Sequence, residues 1–170
     1  LADAAYNSYK TKVDQISTRN YLDVKFIPGL NFRSTISIDY YLNKYDGYSS
    51  AEYGYTAGEG GNAYKSYDRN VATTWTNLLT FNREFGDHNV GVLLGHESYL
   101  RDVTGLSASR KGFPFAGLTE LSSAATSVSS TSYTDTYRLL SFFSRFEYDY
   151  ADKYYVSASL RSDGTSRFSP

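Results

Sequence analysis

The most regular alternation of apolar and polar positions in the chain runs from Phe32 to Asn43. Phe32, Ser34, Ile36, Ile38, Tyr40 and Leu42 fall in one series, apolar except for Ser34. Arg33, Thr35, Ser37, Asp39, Tyr41 and Asn43 fall in the other, polar except for Tyr41. A period of two sends successive side chains to opposite faces of a strand, so this segment predicts a strand with one dry and one wet face. Upstream, Leu22, Val24 and Phe26 alternate with Asp23 and Lys25, and Pro28-Gly29-Leu30-Asn31 supplies a turn. A first hairpin is therefore predicted, from about Tyr21 to Ile27 and from Phe32 to about Asn43.

Two more hairpins follow. The second runs from about Tyr67 to Phe85, turns at Gly86-Asp87-His88 and returns from Asn89 to about Leu100. Val71, Trp75, Leu79 and Phe81 oppose Ala72, Thr74, Thr76 and Thr80, with Asn77 and Leu78 as interruptions, and Val90, Val92 and Leu94 oppose Gly91, Leu93 and Gly95. The third runs from about Thr136 to Tyr150, turns at Ala151-Asp152 and returns from Lys153 to about Arg161. Leu140, Phe142, Phe146 and Tyr148 oppose Ser141, Arg145, Glu147 and Asp149, with Phe143 as the exception, and Tyr154, Val156, Ala158 and Leu160 oppose Tyr155, Ser157, Ser159 and Arg161. Between the hairpins, long connections are expected near 44–66 and 101–135, the second ending in a Ser/Thr run from Ser127 to Ser132. Ala2 to Tyr9 is the only helix candidate.

Alternation alone fits any half-buried antiparallel sheet, including a soluble β-sandwich. Three features favour a membrane barrel instead. Turns alternate between tight and very long, as in barrels with short periplasmic turns and long outer loops. The strands read as about ten residues, enough to cross a bilayer at a steep tilt. Aromatics bracket the tight turns: Phe26 with Phe32, Phe81 with Phe85, and Tyr148 and Tyr150 with Tyr154 and Tyr155. The expected fold is all-β, with antiparallel up-and-down hairpins forming part of a large transmembrane β-barrel. About six strands cannot close around a plug, so the sheet is expected to be open.

Composition agrees. Aromatics are 17% of the chain, with 18 Tyr. Rings with one polar end suit a wet–dry boundary. Mean hydropathy is negative, as expected when every second strand residue faces a polar lumen. Lys+Arg is 17 against 18 for Asp+Glu, which lacks the basic excess of a nucleic-acid binder. No Cys is present, so neither disulfides nor thiolate metal sites arise. The absence of Met and of a signal peptide at Leu1 points to an internal piece of a longer chain.

Lys153-Tyr154-Tyr155-Val156-Ser157-Ala158-Ser159-Leu160-Arg161-Ser162-Asp163-Gly164-Thr165-Ser166-Arg167-Phe168 resembles the "YYLSASLRRDGSSRF" stretch of SusC/RagA-type TonB-dependent transporters. Pro28-Gly29-Leu30-Asn31-Phe32-Arg33 is similar to that family's "KGLKFR" turn, and Leu93-Leu94-Gly95-His96-Glu97 to its "LxGYE" strand, with His96 in place of the usual Tyr. The matching segments run from about Tyr21 to Phe168, while the long connections match poorly. The resemblance implies that residues 1–170 are part of a barrel of about 22 strands with a plugged lumen. It implies TonB as the energy source and a SusD-like surface lipoprotein as a lid. It also implies oligosaccharide or peptide cargo, an outer-membrane lipid surround and a location in the outer membrane of a Gram-negative bacterium. The plug and TonB box are expected upstream of Leu1.

Candidate chemistry is sparse. His88 and His96 lie at either end of a predicted strand, too far apart to share a metal. No nucleophile elbow or metal motif frames them, so neither catalytic residues nor a cofactor is expected. Gly58-Glu59-Gly60-Gly61 lacks the Lys-Ser/Thr of a phosphate loop and reads as a flexible tip. Arg161, Asp163 and Arg167 are candidates for a charged network, read as ion pairs that hold the barrel's shape. Tyr48, Tyr53, Tyr55, Tyr64 and Tyr67 crowd the first long connection and are the candidate ligand-binding residues, since rings stack on sugar faces. The function expected is nutrient import without covalent chemistry. The alternatives are a soluble β-sandwich glycan-binding module, a barrel lipid hydrolase, and an adhesin or surface-layer sheet.

Overall fold

A computed structural model describes residues 6–168. The chain forms strands β1 (Ser8–Ile27), β2 (Leu30–Ser49), β3 (Asn62–Phe85), β4 (His88–Lys111), β5 (Thr126–Tyr150) and β6 (Tyr154–Thr165). They lie in one sheet in the order β1-β2-β3-β4-β5-β6, antiparallel throughout. The three tight turns fall where the sequence places them. Pro28-Gly29 turns with φ of 87° at Gly29, as a type II turn with Pro first requires. Ala151 and Asp152 both have positive φ, 52° and 55°, the mirror-image turn suited to a twisted hairpin, and Lys153 N donates to Tyr150 O at 3.0 Å. Neither residue is glycine, so each carries left-handed strain. Ala151→Gly is accordingly expected to raise stability by up to about 1 kcal/mol, read from the denaturation midpoint.

The strands are longer than the alternation predicts. β3 and β4 have 24 residues each and β5 has 25, against the expected ten or so. The connections predicted at 44–66 and 101–135 shrink to 50–61 and 112–125, each containing one short 3-10 turn, Ala57–Glu59 and Leu121–Ser123. The Ser/Thr run from Ser127 to Ser132 lies inside β5. Of the helix candidate, Ser8 and Tyr9 belong to β1, while residues 2–5 lie outside the described residues.

The strands pass through two compact units. One comprises Ser17–Asp39, Ala72–Arg101 and the chain from Thr136 on, and holds the tight turns. Its turns are tied in series through the backbone: Asn82 N donates to Gly29 O at 2.9 Å, and Ala151 N to Asp87 O at 2.6 Å. The β5–β6 register sets the two faces of this unit. Tyr148↔Val156, Phe146↔Ala158 and Ser144↔Leu160 share one side, and Glu147↔Ser157, Arg145↔Ser159, Phe143↔Arg161 and Ser141↔Asp163 share the other. On the first side a row crosses four strands: Trp75 Nε1 donates to Ser34 Oγ at 3.0 Å, and the His96 ring lies 5.8 Å from Trp75 and 5.2 Å from Phe142.

That apolar side is uncovered. Leu22, Phe26, Phe142, Val156 and Leu160 are 56–75% exposed, and among the described residues only Tyr48, Ala63, Phe113 and Ala124 are buried hydrophobics. A soluble sandwich covers such a face with a second sheet, and here all six strands lie in one sheet. The sandwich alternative is set aside on this ground.

The other unit comprises the chain up to Ile16, Tyr40–Val71 and Asp102–Asp135, and contains the two connections. Its core is the buried group just named, with Leu121 packed against it.

Candidate functional site

On the polar side of the turn-bearing unit, Arg161 gathers the charged groups. Its guanidinium donates to Asp163 at 2.9 and 3.1 Å and to Ser141 Oγ at 3.1 Å, and lies 3.9 Å from Glu97. Ser141 is fully buried, so its hydroxyl is satisfied only by such neighbours. The Arg161 guanidinium also sits 5.5 Å over the Phe143 ring. Phe143, the apolar exception on this face, covers Gly95 of β4: a Cβ on Gly95 would fall within the ring. The second unit repeats the device with Tyr133 over Gly105, and Tyr133 Oη donates to Asp68 at 3.3 Å. Such rings shield the bare backbone that a strand glycine leaves. Of the predicted network, Arg161 and Asp163 are joined, while Arg167 stacks 5.5 Å over Tyr137. Glu97, Ser141 and Phe143 were missed. Their only sequence signal is a glycine in one strand and a misplaced aromatic in another.

The same side carries Arg33–Asp23, with donor distances of 2.7 and 2.6 Å, Arg19 donating to Ser37 Oγ at 3.2 Å, and Asn89 donating to Asp149 at 3.1 Å. Beside the tight turns an open concavity of about 1020 Å³ is lined by Pro28, Asn82, Asn89, Glu147, Asp149 and Tyr155, among others. Its walls mix these amide and carboxylate groups with the apolar Ile27, Val90 and Val156. The histidines lie in separate aromatic contacts, His88 Nδ1 2.7 Å from Tyr148 Oη and His96 Nδ1 3.2 Å from the Asn77 amide nitrogen.

The five tyrosines of the first connection are not brought together. Tyr48 is buried, edge-on to Phe113 at 5.5 Å. Tyr53 stacks on Tyr6 at 4.3 Å, and Tyr55 is 98% exposed. Tyr64 and Tyr67 stand an odd number of residues apart in β3 and so point to opposite faces. Tyr64 lies 5.8 Å from Tyr45, and Tyr67 5.8 Å from Lys44 Nζ. The Tyr48 hydroxyl has no hydrogen-bond partner among the described residues. Tyr48→Phe is therefore expected to hold or raise stability, by up to about 1 kcal/mol, as read by urea denaturation.

The two connections lock to each other. Phe113 N donates to Gly60 O at 2.7 Å and Gly112 N to Gly61 O at 3.3 Å, while Lys111 bonds Glu59 at 2.9 Å. The glycine stretch read as a flexible tip is thus pinned at Gly60 and Gly61, leaving Gly58 in the open. Lys65 donates to both Glu120 oxygens at 2.8 Å and lies 3.4 Å from Asp46. Glu120, and after it Asp46, hold its ammonium above the usual lysine range.

No family model matches the chain. It is 30% identical over 160 residues to TonB-dependent receptor P3 of Formosa agariphila, an alignment covering 93% of this chain and 16% of that protein. TonB-dependent receptor P39 of the same organism is 29% identical over 160 residues, covering 88% of this chain and 15% of the relative. Among solved structures, the RagAB peptide transporter superposes with a TM-score of 0.89 at 26% identity, over 98% of this chain and 19% of that one. The RagAB peptide importer in its "open-open" state gives 0.88 at 25% identity, over 97% and 19%. The chain thus spans less than a fifth of the proteins it matches. An open, up-and-down sheet of long strands, apolar on one face and polar on the other, has its counterpart in these barrels. The chain is a segment of a SusC/RagA-type TonB-dependent transporter, part of the wall of its β-barrel.

Proposed function

We propose that this segment forms part of the barrel of a TonB-dependent importer in the outer membrane of a Gram-negative bacterium. The observation that carries the reading is the uncovered apolar face. On β2 it runs from Phe32 to Leu42, about 34 Å at ~3.4 Å per residue. A tilt of ~40° reduces that to about 26 Å, close to the ~25 Å apolar band of such barrels. The 24-residue strands β3 and β4 are longer than that band requires. The opposite face, with the Arg161 cluster and the Arg33–Asp23 pair, lines the lumen, where the plug supplied by the rest of the protein sits.

The cargo in this reading is an oligosaccharide or a peptide, taken up without covalent chemistry, with TonB as energy source and a SusD-like lipoprotein as lid. Of the candidate tyrosines, Tyr53, Tyr55, Tyr64 and Tyr67 keep exposed rings for cargo, and Tyr48 supports the loops from within. Peptide cargo draws support from the RagAB neighbours, which are peptide transporters. The test is fractionation of cells expressing the full-length protein, a heat-shift gel in detergent, and uptake of fluorescent peptide and oligosaccharide libraries. Outer-membrane recovery, heat-modifiable migration and TonB-dependent uptake are expected. A water-soluble species would sink the membrane reading. A folded barrel that took up neither library would sink the import reading alone.

A further inference from the structure

Beyond Leu42 the apolar series of β2 gives way to charge. Along β1 the series that holds Ile16 continues as Asp14, Lys12 and Lys10, and along β2 the series that holds Tyr40 and Leu42 continues as Lys44. Lys12 and Lys44 approach the same carboxylate, Asp14, at 3.6 and 3.7 Å. Two ammonium groups thus share one anion, at separations too long for good hydrogen bonds. Each ammonium carries three donors, and most of them remain for another acceptor. Lys44 also lies 5.8 Å from the Tyr67 ring, which fixes Tyr67 on this face. Strand alternation then puts the exposed Arg69 there as well. Lys10 and Lys12 are exposed too, and Ile16, the apolar residue next in the β1 series, is 62% exposed. Lys65 differs, being occupied by Asp46 and Glu120.

Two lysines around one carboxylate, with the exposed Lys10 and Arg69 on the same face, complement one kind of neighbour. We propose that Lys10, Lys12, Lys44 and Arg69 bind the phosphate groups of lipid headgroups at the outer boundary of the hydrocarbon, an inference that rests on the membrane reading above. Cations at this depth meet the headgroup layer, where each adds to the attraction for anionic lipid. Asp14 spaces the two lysines and prevents their mutual repulsion when no phosphate is bound.

The test uses the full-length protein in nonionic detergent micelles doped with fluorescent phosphatidylglycerol or phosphatidylcholine. Wild type is expected to prefer the anionic lipid, and Lys12→Gln/Lys44→Gln to weaken that binding by on the order of tenfold. Lys25→Gln, a cation lost from the other face of β1, is expected to leave it unchanged, and Lys12→Arg/Lys44→Arg to retain it. Heat-shift migration checks that each variant is folded. Should the glutamine variant fail that check, Asp14→Asn, expected to tighten binding, takes its place. The proposal is overturned if wild type shows no preference, if Lys25→Gln loses as much as the double variant, or if millimolar inorganic phosphate displaces the lipid. A wild-type protein that does not migrate as a barrel removes the membrane reading itself.

Discussion

Replacing Gly29 with alanine is expected to destabilise the barrel by about 3 kcal/mol. Two costs add. A φ of 87° lies in the left-handed region, where a side chain costs about 1–2 kcal/mol. The new Cβ would also fall on the carbonyl oxygen of Asn82, a backbone atom of β3 that cannot rotate away. Moving the turn aside breaks the bond from Asn82 N to Gly29 O, worth about 1 kcal/mol. The measurement is urea unfolding of the full-length protein in detergent, with Pro28→Ala as a comparison expected to cost under about 1 kcal/mol, since it touches neither term. A Gly29→Ala loss no larger than that of Pro28→Ala would show that the turn moves freely over β3.

Ile38→Arg is expected to cost roughly 2–4 kcal/mol, because it sets a cation on the apolar face near the middle of the β2 stripe. Its neighbour Asp39 is also exposed but points to the polar side, where Asp39→Arg is expected to change stability by less than about 1 kcal/mol. The two substitutions introduce the same group one residue apart. Their contrast, read from the folded fraction on a heat-shift gel, therefore reports which face meets lipid. Equal yields would contradict the assignment of the faces, and a reversed order would invert it.

What the sequence made plain, and what it hid, follows from how each strand is held. The tight turns could be placed because Pro28-Gly29 and Gly86-Asp87 are local chemistry, independent of the rest of the fold. Ile36, Ile38, Val156 and Leu160 announced their face because a sheet with one apolar and one polar face enforces alternation. Beyond the stripe that contrast ends. From Ser8 to Asn20 and from Thr126 to Ser132 exposed polar residues predominate in both series, and only ladder hydrogen bonds to neighbours mark the strand. The second of these falls in a predicted connection, and the first carries no predicted strand, with a helix candidate up to Tyr9. The candidate site fared worse for a related reason. The Arg161 cluster draws on Glu97 and Ser141 from two other strands, and the five tyrosines, adjacent in sequence, scatter once Tyr48 turns inward and Tyr64 and Tyr67 take opposite faces.

The glycines beneath Phe143 and Tyr133 carry a consequence for how such a sequence drifts. Neither member of a ring-on-glycine pair can be exchanged alone. A side chain at Gly95 collides with Phe143, and a small residue at 143 uncovers the Gly95 backbone and removes the ring beneath Arg161. Related barrels are therefore expected to hold glycine with aromatic, or side chain with small residue, and rarely a mixture. Gly95→Val and Phe143→Ala should each cost stability, while the double variant recovers part of the loss. Positions 48 residues apart in the chain are thus inherited as a single two-letter word.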